Sequence, residues 1–247
     1  MLMRIWNIVR YGAYIPTEYM VSSEFGLIYV PIPKVACTAV KEALFYGGKL
    51  ADDHEQYMEV HRKAKKLTTY SIKNDHRKWL VLAVVRNPFE RLVSCYLDKV
   101  KKPVQHNGRY YFDSRYAQIF LQKKSGMRIH HEMSFEDFVT MVSRIPDWLA
   151  DGHFRSQAHF LKDLGKGTDV AYLFRFETLE ADWRVLQKNH QGLPDLRKRN
   201  STPKKALHEW FDSEEILELA YERYRYDVDL WYSKEYQELR ERVRGGG

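Results

Sequence analysis

The stretch YVPIPKVACTAVKEALFYGG (29–48) runs from an apolar strand through a Pro-Lys loop into a helix. Such a strand, turn and helix N-terminus aim unpaired backbone N–H groups at one spot, and the helix dipole adds to them, so the unit suits an anion. Lys34 at the strand end brings a full positive charge, and Cys37 and Thr38 offer donors in the first helical turn. Taken alone, the same residues also describe an ordinary loop with a surface lysine. An ATP-type loop reads Gly-x-x-x-x-Gly-Lys-[Ser/Thr], with the lysine after the loop and a hydroxyl for magnesium. Here Lys34 precedes the turn and no glycine lies between Gly26 and Gly47, which argues against a kinase or ATPase of that type.

A second stretch, VVRNPFERLVSCY (84–96), is again strand, turn and helix. Arg86 ends the strand and Ser94 lies eight residues later on the helix. An arginine fork suits a dianionic phosphate, and a serine hydroxyl can complete its hydrogen bonds. A structural salt bridge from Arg86 to Glu90 or Asp98 is the competing reading.

These residues need a scaffold, and the hydrophobic pattern supplies one. GLIYVPI (26–32) reads as a buried strand ended by proline, and the following helix closes at Gly47. KWLVLAVVRNP (78–88) is a continuous apolar run suited to a central parallel strand. Pro88 takes the first helical position after it; Phe89, Leu92, Val93, Tyr96, Leu97 and Val100 recur at helical spacing until Pro103. Between 104 and 168 the chain is polar and aromatic with helical pieces, one starting at the Ser-x-x-Asp of Ser134. DVAYLFRFETL (169–179) reads as another buried strand, with Thr178 capping the next helix. SEEILELAYERYRYD (213–227) is amphipathic and helical, and QYMEVH (56–61) suggests a short strand. Alternating strands and helices predict an α/β fold, a central parallel sheet flanked by helices, with ligands at the carboxyl ends of the strands. Lys34 and Arg86 both fall there.

A chain of 247 residues favours one α/β domain, mapped as 26–240, with an N-terminal segment 1–25 and a flexible tail 241–247. The formal charge of +7 points to an anionic partner: a nucleotide, a polyanion, nucleic acid or a membrane surface. Cys37 and Cys95 make no disulfide framework. No apolar run approaches the roughly 20 residues that span a bilayer, and no signal peptide is evident, so the expectation is a soluble protein without a transmembrane segment.

Taken together, the two units resemble the sulfotransferases that use 3′-phosphoadenosine 5′-phosphosulfate (PAPS), particularly the membrane-associated carbohydrate branch. PKVACTAVK is similar to that family's 5′-phosphosulfate loop, Pro-Lys-x-x-[Cys/Ser/Gly]-Thr. VVRNPFERLVSCYLDK resembles its 3′-phosphate motif, Val-Arg-x-Pro-[Phe/Leu]-Glu-Arg-Leu-x-Ser-x-Tyr. Downstream, LFRFETLEADW resembles an Arg-Tyr-Glu-Asp-Leu segment, with Phe176 and Thr178 in place of Tyr and Asp. LPDLRKRNST and YERYRYDVDLW resemble the branch's late motifs, so the likeness covers most of 26–232, with a poor match at 104–130. It implies a P-loop-like nucleotide-binding three-layer sandwich, PAPS as donor, no metal, and an acceptor hydroxyl, on a carbohydrate before a lipid, tyrosyl or small-molecule one.

Residue by residue, the resemblance implies that Lys34 contacts the bridging and 5′-phosphate oxygens and stabilises the leaving group. Backbone amides of Val35, Ala36, Cys37, Thr38 and Ala39, with the Thr38 hydroxyl, would hold the 5′-phosphate. Arg86 and Ser94 would hold the 3′-phosphate, with Arg199 as a further contact. In relatives a histidine follows a short strand some two dozen residues before the 3′-phosphate arginine, which selects His61, 25 positions before Arg86, as general base. His54 and His76 match less well, Glu55 and Glu59 stay open because some relatives use glutamate, and His153 in DGHFRSQ resembles a segment that lines the acceptor side.

HRKAKKL (61–67) reads as a solvated helical face, and RYYFDSRY (109–116), though basic and aromatic, lacks any nucleic-acid recognition module. No nucleic-acid partner is therefore expected. Asn200-Ser201-Thr202 forms a glycosylation sequon, discounted in a chain without a secretory signal. The expected location is cytoplasmic, or the Golgi lumen for the trimmed catalytic domain of a longer protein. A nucleotide kinase-like phosphoryl transferase and a basic polyanion-binding module are the competing classes.

Overall fold

In a computed structural model, residues 18–47, 67–69, 79–101, 125–148, 150–162, 170–197 and 205–245 are described. They divide into two compact units: a sheet unit of residues 18–86 and 159–197, and a helical unit of residues 87–158 and 205–245.

The sheet unit holds five strands in the order β3-β1-β2-β4-β5. The strands are β1 (Tyr19–Ser22), β2 (Leu27–Val30), β3 (Thr68–Thr69), β4 (Leu80–Val85) and β5 (Val170–Arg175). β2, β4 and β5 run parallel, in register Val30 to Ala83 and Val85 to Arg175. Every residue of β2 is buried, as is β4 from Val81 to Val85, which accounts for two apolar runs with no polar alternation. The α/β architecture with a parallel centre is as the pattern predicts. The sheet is mixed, however: β1 and β3 add an antiparallel edge, with Val21 opposite Ile28 and Tyr19 opposite Thr69. β5 also differs from the buried strand expected at 169–179. Among the described strands it is the outermost on its side, and its residues alternate between half-buried and exposed, with Leu173 on the outside.

Helix α1 (Cys37–Tyr46) follows β2 and stops where predicted, at Gly47, which takes φ 62° and donates its N–H to the Glu42 carbonyl. Glu42 itself is buried and meets Arg197 at 3.4 Å. Helix α5 (Leu179–Asn189) follows β5. Thr178 occupies its N-cap position, but its hydroxyl donates to the Asp182 carboxylate at 2.7 Å and caps no amide.

The helical unit begins at α2 (Pro88–Tyr96), extended by a π-helical turn over Leu97–Lys101. Of the residues at predicted helical spacing, Phe89, Leu92, Val93, Tyr96 and Val100 are buried. They pack with α3 (Phe135–Ser143), α6 (Glu214–Trp231) and α7 (Ser233–Gly245) in one aromatic-rich core. Phe89 meets Phe211 edge-on at 5.5 Å, and Tyr221 stacks on Tyr236 at 4.3 Å. Ser134 caps α3 as expected, accepting from the Asp137 amide at 3.0 Å. The C-terminal helix continues to Gly245, past the boundary drawn at 240, because Arg240 and Arg244 both reach back to Glu214.

A short helix, α4 (Gln157–Leu161), ends the segment 147–158, which buried polar groups hold from several sides. Fully buried Arg91 donates to the carbonyls of Arg155 at 2.7 Å and Gly152 at 2.9 Å. The Tyr224 hydroxyl donates to the Phe154 carbonyl at 2.8 Å, and Asp227 accepts the amides of Gln157 and Ala158 at 2.8 and 2.7 Å. Asp147 pairs with Arg223 at 2.7 Å and accepts from Ser156. Turns supply only part of this segment's backbone hydrogen bonds, and long-range side chains supply others.

Candidate active site

The loop from β2 to α1 is shaped by two buried pegs, Ile32 and Val35, either side of half-buried Lys34. The Ile32 amide turns back onto the Val30 carbonyl at 3.0 Å. Lys34 (φ 70°) and Ala36 (φ 62°) then adopt left-handed backbone, the two non-glycine residues with positive φ among those described. Each such residue costs on the order of 1–2 kcal/mol relative to right-handed backbone. Anion-binding nests are built where left-handed residues alternate with right-handed ones, and left-handed residues two positions apart suit that pattern. Ala36 is the N-cap of α1 and has no side-chain acceptor to offer, and the first turn carries no acidic residue. The amides at the positive end of α1 are thus not capped by the helix's own side chains.

Tyr29 lies on β2, and its hydroxyl is buried without a hydrogen-bond partner among the described residues. Burial, and secondarily Cys37 nearby, push the phenol well above its usual range, so it is a neutral donor at any working pH. Cys37 and Thr38 are half-buried in the first turn and Ala39 is buried.

Arg86 leaves the end of β4, on the strand adjacent to β2. It is only 5% exposed, and its guanidinium lies 4.4 Å from the centroid of the Phe176 ring. Phe176 follows the last residue of β5, and because Val85 stands opposite Arg175, the parallel register sets Arg86 and Phe176 side by side. Three neighbouring parallel strands therefore deliver the Lys34 loop, Arg86 and Phe176 to the same carboxyl edge. Of the competing partners for Arg86, Asp98 lies 3.1 Å from Lys99.

The second strand–turn–helix unit does not repeat the first in detail. Asn87 caps α2, accepting the amides of Phe89 at 3.0 Å and Glu90 at 3.4 Å; Pro88 removes another donor and Glu90 meets the dipole. This helix end is capped by its own residues, unlike the start of α1. In the helical unit, Ser94 is half-buried on α2. His153 is half-buried too, its Nδ1 held 2.7 Å from the Asp151 carboxylate, which also accepts the His153 amide at 2.9 Å.

The structure thus brings Lys34, Val35, Ala36, Cys37, Thr38, Ala39 and Arg86 to one sheet edge. His61 and Arg199 lie outside the described residues, as do His54, Glu55, Glu59 and His76. Two features escaped the sequence reading: the Asn87 cap on α2 and the Phe176 ring beside Arg86. Asn87 was detectable, because Asn before a helix-starting Pro is a capping pattern. Phe176 emerges only from register between strands some 90 residues apart in sequence.

Comparison with known proteins adds an independent line. The profile of the sulfotransferase family matches residues 17–233. Carbohydrate sulfotransferase 11 of Mus musculus is 29% identical over 238 residues, covering 84% of this chain and 64% of the relative. The protein of that name from Rattus norvegicus is 28% identical over the same shares, and that of Danio rerio is 38% identical over 89 residues, or 32% of this chain and 25% of the relative. The chain therefore spans just under two thirds of the rodent relatives. No solved structure matches it.

Proposed function

This chain belongs to the sulfotransferase family, and we propose that it moves a sulfuryl group from PAPS to an acceptor hydroxyl on a carbohydrate. The observation that carries the reading is the pairing of two unlike cationic elements on adjacent parallel strands: the uncapped left-handed loop with Lys34, and Arg86 over Phe176. Two anion sites on one edge suit a donor with separate 5′ and 3′ phosphates, where a mononucleotide would need one. The relatives' names support the carbohydrate acceptor.

PAPS, when bound, supplies the activated sulfuryl group; the chain supplies position and charge. In an in-line displacement at sulfur, negative charge grows on the leaving phosphate, so fixed cationic donors aimed there contribute most. Lys34 takes that role, with the amides of Val35–Ala39 and the Thr38 hydroxyl holding the 5′-phosphate. Arg86 and Ser94 hold the 3′-phosphate and set preference for this donor over AMP or ATP. Arg199 is a further contact, and Arg197, two residues earlier, is tied to α1 through Glu42, which links this part of the chain to the loop-bearing helix. His61 takes the acceptor proton, a step worth about 10²–10⁴-fold. His54, His76, Glu55 and Glu59 are the alternatives for that role. The enzyme acts as one catalytic domain, in the cytoplasm, or in the Golgi lumen if it is part of a longer anchored protein.

Donor specificity tests the reading. 3′,5′-Adenosine bisphosphate should raise the melting temperature by several degrees, whereas AMP and ATP with magnesium should barely move it. Equal stabilisation by ATP would favour a kinase-like enzyme, and no response to any nucleotide would favour a basic polyanion-binding module. Labelled PAPS supplied with a panel of glycans, phenols and lipids identifies the acceptor.

A further inference from the structure

We infer that Phe176 is a positioning residue that sets the plane of the Arg86 guanidinium and thereby the enzyme's preference for a 3′-phosphorylated nucleotide; this rests on the donor reading above. A guanidinium is flat, weakly hydrated on its faces, and carries all five N–H donors around its rim. Arg86 lies over the Phe176 ring, its guanidinium carbon 4.4 Å from the ring centroid, so the ring limits the planes the guanidinium can take. Such a limit restricts rotation about the side chain's last bonds. That is what bidentate recognition of a phosphate needs, because two parallel N–H···O bonds form only in one plane.

The support for the ring is itself rigid. Phe176 begins the 3₁₀ turn directly after β5, and the Val85–Arg175 pairing fixes its position relative to Arg86 through backbone hydrogen bonds. Arg86 at 5% exposure has little freedom to find another resting place. The related motif carries Tyr at this position. Tyr and Phe share the aromatic face, and the hydroxyl is what differs, so the face is the feature assigned to the role here.

The test uses the full chain and isothermal titration with two probes, 3′,5′-adenosine bisphosphate and AMP. Phe176→Leu and the volume-matched Phe176→Met should weaken bisphosphate binding about 5–30-fold. AMP binding should stay within about two-fold and the ligand-free melting temperature should be nearly unchanged. Phe176→Tyr should stay within about three-fold of wild type for both probes. In an Arg86→Lys background, where no flat fork remains, Phe176→Met should add less than about two-fold. If wild type prefers the bisphosphate and Phe176→Met keeps that preference, the inference is wrong while the donor reading stands. Equal loss for both probes would also overturn it, since that is the signature of general damage to the sheet edge. If wild type itself binds AMP as well as the bisphosphate, the donor reading falls and takes this assignment with it.

Discussion

Two helices start directly after parallel strands in this protein, and they treat their exposed N-terminal amides in opposite ways. At α2, Asn87 accepts two amides, Pro88 removes a third donor and Glu90 faces the dipole. At α1, Ala36 stands at the cap with no side-chain acceptor, in left-handed backbone that an alanine does not favour. The first arrangement stabilises the fold whether or not a ligand is present. The second carries local strain and no cap, which is the cost expected of a loop that binds an anion. The pair teaches that a strand–turn–helix unit is not by itself a phosphate site: what matters is whether the turn satisfies its own amides.

Breaking the open end should have the largest effect. Lys34→Ala should lower kcat by about 10²–10³-fold, the range for removing one donor that stabilises developing charge. Arg86→Ala should also cut sulfuryl transfer severely, but through weaker donor binding, so a labelled-PAPS assay over a range of donor concentrations separates the two. Near-normal turnover in either variant would sink the site.

Acid exposes the inward-turned charges of the helical unit. Burial pushes the Asp147 carboxyl up, but the Arg223 charge and the Ser156 hydrogen bonds outweigh it and hold the group below its ordinary 3.8. The stability it contributes is therefore complete above that value and is lost as pH falls through the lower folded one. Asp147→Asn should flatten the acid limb of a melting-temperature profile below about pH 4; an unchanged limb would remove Asp147 from the account.

The two caps themselves should respond with opposite signs. Asn87→Ala should destabilise the ligand-free protein by about 1 kcal/mol. Ala36→Gly, which relieves left-handed strain, should stabilise it by about 0.5–1 kcal/mol. Urea unfolding measures both, and two effects of the same sign would erase the distinction between the helix ends. The smallest change is expected at α5, where Thr178 sits in the cap position but bonds to Asp182. Thr178→Ala should cost less than about 0.5 kcal/mol, well under the Asn87 value, if capping and mere position are different things.

Several elements were legible because their causes are local. Apolar continuity marked β2 and β4 as buried, Pro88 and Gly47 marked a helix start and a helix stop, and the Ser134 hydroxyl capped the helix it precedes. The placement of Lys34 and Arg86 just past the ends of parallel strands was readable for the same reason: spacing from a strand end to a helix start is a property of a dozen residues. The misreadings have a common origin. The 169–179 segment is apolar enough for a buried strand, yet it lies outermost among the described strands, and which strand lies outermost depends on where every other strand pairs. β1 and β3 are short, four and two residues, too brief for a periodic signal to stand out.

What the sequence by itself determined is the α/β class, the sulfotransferase resemblance and the two cationic motifs, since each follows from residue types within a short window. Tertiary structure alone decided that a loop without glycine bends through left-handed Lys34 and Ala36, that Tyr29 keeps an orphaned donor, and that Arg86 rests on Phe176. The physical reason is that strand register and buried pegs impose these states from a distance. Backbone strain and a cation over a ring are set by partners far along the chain, and no local propensity encodes them.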